Sequence, residues 1–79
     1  MMSITQLANR ITINPKVLVG KPTIRGLRIS VEQVLRALGG GVSIEELLSE
    51  YPELERADIA ACQSYAADCI ADWASPTYY

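Results

Sequence analysis

Seventy-nine residues with 49% hydrophobic and 20% charged side chains describe one small globular domain and exclude both a second domain and an intrinsically disordered chain. The apolar set holds 21 Leu, Ile and Val and no Phe, so the core is aliphatic. A chain this short supplies only about 3–5 kcal/mol from a single core, and a staple is expected. With no histidine and two cysteines, the staple implied is self-association, a homodimer, rather than a metal or a disulfide.

The start, Met1-Met2-Ser3-Ile4-Thr5-Gln6-Leu7, has neither a basic lead nor an apolar stretch of signal-peptide length. No run approaches the roughly 20 apolar residues of a membrane span. A cytoplasmic protein with no membrane partner is the expectation. Residues 1–9 read as a lead, 10–74 as the domain and 75–79 as a tail.

The net charge of −2 hides a split. Residues 1–40 carry Arg10, Lys16, Lys21, Arg25, Arg28 and Arg36 against Glu32 alone, a balance of +5. Residues 41–79 carry Arg56 against Glu45, Glu46, Glu50, Glu53, Glu55, Asp58, Asp68 and Asp72, a balance of −7. Such asymmetry implies an anionic partner for the first half, attraction between opposite faces of two copies, or ordinary solvated surfaces.

Along the chain, Arg10-Ile11-Thr12-Ile13 reads as a short strand stopped by Asn14-Pro15. Val17–Val19 and Thr23–Arg25 are further extended candidates. Gly26 permits a positive φ, and Pro22 confines its segment to an edge or a loop. Ser30-Val31-Glu32-Gln33 has the spacing of a capping box and opens a helix over 31–38, with Val31, Val34, Leu35 and Leu38 on one face. Gly39-Gly40-Gly41 ends it. Ser43-Ile44-Glu45-Glu46 opens a second helix over 44–50, stopped by Tyr51-Pro52. The third and longest runs over 56–73, with Ile59, Cys62, Ala66, Cys69 or Ile70, and Trp73 as its apolar stripe. Cys62 and Cys69 stand about 10 Å apart on that helix, too far to join, and read as small core residues.

Three helices of which the second is short and the third long outline a helix-turn-helix. The third helix is a poor reader of a major groove, since it begins Glu53-Leu54-Glu55-Arg56-Ala57-Asp58 and continues with Asp68 and Asp72. The basic cluster lies elsewhere, at Lys16, Lys21, Arg25, Arg28 and Arg36. These side chains suit phosphate or the acidic helix of a second protomer equally. An enzyme is not expected: no histidine, nucleophile elbow or phosphate loop is present, and Glu45-Glu46 falls where a helix dipole favours acids.

Gly20-Lys21-Pro22-Thr23-Ile24-Arg25-Gly26-Leu27-Arg28-Ile29-Ser30-Val31, then Ser43-Ile44-Glu45-Glu46-Leu47-Leu48, Tyr51-Pro52-Glu53-Leu54 and Tyr65-Ala66, together resemble a small bacterial family. It is the one catalogued as domain of unknown function four hundred and thirty-three, and the resemblance covers roughly residues 11–70. It implies a mainly α, homeodomain-like three-helix domain with a short N-terminal β element. It also implies an antitoxin-like protein encoded beside a PIN-type ribonuclease toxin. Where the family usually has Gly-Thr-Arg, this chain has Gly26-Leu27-Arg28, and where it has Thr or Ser before the third helix, this chain has Glu55.

The leading expectation is an antitoxin-like, homodimeric protein-binding module without cofactor. Its candidate contacts are Lys16, Lys21, Arg25, Leu27, Arg28 and Arg36, with Leu27 an exposed anchor and the aromatic end at Trp73, Tyr78 and Tyr79 covered by a neighbour. The rivals are a DNA-binding regulator using Lys21, Arg25, Arg28 and Arg36, and a dimerisation module with no ligand.

Overall fold

The computed structural model describes residues 8–73, the side chain of Trp73 excepted. Residues 1–7 of the N-terminal lead and the tail with Tyr78 and Tyr79 lie outside the described residues. Two strands and three helices follow in order: β1 (Ile11–Thr12), β2 (Thr23–Ile24), α1 (Val31–Gly39), α2 (Ile44–Glu50) and α3 (Arg56–Trp73). The mainly helical class with a small N-terminal β element is the one the sequence implies.

β1 and β2 pair antiparallel, Ile11 opposite Ile24 and Thr12 opposite Thr23. Each strand is shorter than its β-branched run. Asn14 ends β1 by accepting Lys16 N–H on its side chain at 2.9 Å and Val17 N–H on its carbonyl at 2.9 Å. Val17–Val19 is not extended as its composition suggests. Leu18, Val19 and Gly20 take φ values of 48°, 56° and 77°, a left-handed turn closed by Gly20 N–H to Val17 O at 3.1 Å and Lys21 N–H to Leu18 O at 3.1 Å. Local hydrogen bonds and the permissive Gly20 outweigh the β preference of the valines here.

After β2 the chain turns again through Arg25 and Gly26, both at positive φ (47° and 74°), with Leu27 N–H on Ile24 O at 2.8 Å. That φ pair belongs to a type I′ turn, which glycine or asparagine usually occupies. The chain returns alongside β2, Ile24 N–H meeting Ile29 O and Val31 N–H meeting Pro22 O. Pro22 needs no donor at this point, because only its carbonyl is used.

Ser30 caps α1 by accepting Gln33 N–H at 2.9 Å. The reciprocal half of the expected box is absent, since the Gln33 amide donates instead to the Tyr51 hydroxyl at 2.8 Å. At Ser43 both halves are made: the hydroxyl accepts Glu46 N–H at 3.1 Å and the Glu46 carboxylate accepts Ser43 N–H at 3.3 Å. The core joins Ile24 and Ile29 to Val31 and Val34 of α1, Leu47 of α2, Leu54, and Ile59 and Cys62 of α3. α3 contributes only as far as Tyr65, for residues 67–72 are all exposed. Cys62 is buried as expected, but Cys69 is exposed, because the helix has run past the body of the domain.

Candidate partner-binding site

The functional surface is defined by which charges the fold consumes. Asp58 is the third residue of α3, with 0% of its surface exposed, and it takes four hydrogen bonds. Arg10 Nη1 reaches Oδ1 at 2.9 Å and Arg25 Nε reaches Oδ1 at 3.0 Å. Arg25 Nη2 reaches Oδ2 at 2.9 Å, and Glu55 N–H reaches Oδ2 at 2.8 Å. The last bond is the reciprocal half of a capping box, the third residue of α3 accepting the N–H of the residue before the helix. Burial on its own would push the Asp58 carboxyl up, but the bonds from Arg25, Glu55 N–H and Arg10 reverse this and hold it below the ordinary carboxylate range. Both guanidinium groups are raised, chiefly by hydrogen bonds to Glu55 and Asp58 for Arg10 and to Asp58 for Arg25.

Arg10 also binds Glu55 at 2.7 Å, and Arg25 Nη2 donates to Glu53 O at 2.6 Å. Glu32 takes Lys21 at 3.0 Å and Arg36 at 2.9 Å, which lower its carboxyl in that order. Two of the six cations of the basic half, Arg10 and Arg25, are therefore paired with the acidic half inside one chain, fastening the β element to the start of α3.

Four of the candidates change standing: Arg25, Lys21, Arg36 and Leu27. Arg25 is committed to Asp58 and Glu53 rather than offered to a partner. Lys21 and Arg36 share Glu32 at the surface. Leu27 is not an exposed anchor, for it is half-buried and packs against the core, where the turn at Arg25 and Gly26 folds it back. Lys16 and Arg28 remain exposed and form no ion pair among the described residues. Arg10, Asp58, Ile13 and Val19 were not singled out by the sequence. An acid three residues into the first turn of α3 was the signal for Asp58.

Beside Lys16 the N-terminal segment presents two bare apolar side chains, Ile13 at 61% and Val19 at 95% exposure. Val19 is β-branched and sits in the left-handed region, where an L-residue costs roughly 1–2 kcal/mol. Next to Ile13 a small pocket of about 180 Å³ opens between β1 and α3, with Ile11, Ala61 and Tyr65 in its walls and Asp68 at its edge. The described residues hold no group of three or more metal-ligating side chains. No helix among them is long and apolar enough to cross a membrane.

The chain matches the family Protein of unknown function (DUF433) over residues 11–66. It is 34% identical over 56 residues to Uncharacterized protein y4eO of Sinorhizobium fredii (strain NBRC 101917 / NGR234), a match covering 71% of this chain and 25% of that protein. The crystal structure of a DUF433 member protein from Anabaena variabilis ATCC 29413 superposes with a TM-score of 0.74 at 34% identity, over 82% of this chain and 64% of that one. The chain is a small helical domain with a two-stranded β element, and it belongs to the DUF433 family. It spans about a quarter of the Sinorhizobium protein.

Proposed function

We propose that the chain is a non-catalytic, antitoxin-like protein-binding module whose N-terminal segment, residues 13–19 with Arg28, docks a partner protein such as a PIN-type ribonuclease encoded nearby. The observation that carries this reading is Val19: a strained, β-branched, almost fully bare side chain held outward by a turn with three backbone hydrogen bonds of its own. Strain of this kind persists where the surroundings enforce it and clusters at binding sites. Ile13 and its neighbouring pocket give a second apolar anchor point, Lys16 supplies a cation within the segment, and Arg28 is a further exposed cation without an ion pair among the described residues. This is the anatomy of an interface, an apolar centre with polar edges.

A DNA-reading role draws less support. Arg25 is bound to Asp58, and the exposed face of α3, where a helix-turn-helix would read bases, carries Asp68 and Asp72. The test is co-expression with the products of the two flanking genes. A complex with one of them that is lost in Val19→Asp and in Ile13→Asp, both folded by circular dichroism, is the expected result. Failure of both gene products to co-purify, or a complex indifferent to both substitutions, overturns the proposal.

A further inference from the structure

The apolar stripe of α3 continues beyond the core it helps to build. Ile59 and Cys62 are buried, whereas Ala66 is half-covered and Cys69 and Ile70 are exposed, Ile70 by 62%. Between this outrunning stripe and α1 lies a groove of about 440 Å³ whose apolar walls include Val31, Leu35, Tyr65 and Ala66. Arg36 stands at its rim with 79% of its side chain exposed. Its ion pair with Glu32 uses Nε, which leaves the two terminal nitrogens directed to solvent among the described residues. Glu32 is shared with Lys21, so the rim carries a net positive charge.

The other half of the recognition is on the same chain. Asp72 lies three residues after Cys69, on the edge of the stripe one turn further out. It has no cationic partner among the described residues. An apolar helix end with an acidic edge and an apolar groove with a cationic rim are complementary, and both belong to every copy. We infer that the occupant of the groove between α1 and α3 is the distal half of α3 from a second copy of this chain, giving a two-fold dimer in which each Arg36 faces the other protomer's Asp72. Self-complementarity of one patch is what a two-fold interface requires. The groove shares Tyr65 with the pocket beside Ile13 but none of residues 13–19, so the dimer is tested without reference to the proposed partner.

Sedimentation velocity on the full chain across a dilution series is the test, with Arg36→Asp, Asp72→Arg and the doubly reversed variant beside wild type. Wild type is expected at twice the 8.6 kDa chain mass. Each single reversal should weaken the dimer about tenfold or more, and the double reversal should restore it. A monomer at every concentration overturns the inference, as does a dimer indifferent to the single reversals or a double variant no tighter than either. Maleimide labelling of unaltered protein gives a readout that needs no variant: Cys69 should react more slowly as concentration rises, while buried Cys62, its thiol pushed up to about 11 chiefly by burial, stays unreactive. A Cys69 rate independent of concentration overturns the inference as well.

Discussion

Arg25 and Asp58 meet side by side, Nε on Oδ1 at 3.0 Å and Nη2 on Oδ2 at 2.9 Å, across 33 residues of sequence. Arg25 holds a left-handed backbone to make this contact, and its two-pronged grip offsets that strain. The pair ties the turn after β2 to the first turn of α3. A double-mutant cycle with Arg25→Ala and Asp58→Ala, read by urea unfolding, should give a coupling energy of about 2 kcal/mol. Additive losses would mean that the contact is incidental.

Acid should release this contact. The folded Asp58 carboxyl titrates below its ordinary value of 3.8, so the unfolded chain binds the proton more readily. The stability it contributes is then complete above about pH 4. It is lost as pH falls through the lower, folded value. The urea midpoint of wild type should drop toward that of Asp58→Asn below about pH 4, and the two should differ by a constant amount at neutral pH.

Ser43→Ala should cost about 1 kcal/mol by removing the acceptor for Glu46 N–H. Thermal unfolding checks this. Ser43→Asp, which restores an acceptor, should recover most of the loss.

Val19→Gly separates stability from binding. Glycine relieves the left-handed strain at φ 56° but adds freedom to the unfolded chain. Stability should therefore stay level or rise by up to about 1 kcal/mol. Partner binding should weaken in the same variant, because the bare valine side chain is the contact. Melting curves and calorimetric titration with the co-purified partner give the two numbers.

The helices were legible because each carries its own boundary chemistry: Ser30 and Ser43 at the starts, the glycine run and Tyr51-Pro52 at the stops. The left-handed turn at Leu18 and Val19 was not, since β-branched composition argues for a strand and the turn depends on Asn14 and Gly20 acting from either side. The charge split was visible, but its use was not. Arg10, Arg25 and Asp58 are brought together by tertiary packing over distances that no local pattern records. Leu27 looked exposed for a related reason: the turn that folds it inward depends on Arg25 adopting a conformation more often left to glycine.

Amide hydrogen exchange on the complex with the flanking-gene product most directly tests the claim that the fold consumes Arg10 and Arg25 internally and leaves residues 13–19 for a partner. Strongly slowed exchange across 13–20 is expected on binding, over the turn closed by the Gly20 and Lys21 N–H groups. Unchanged exchange there, with slowing confined to other segments, would contradict it.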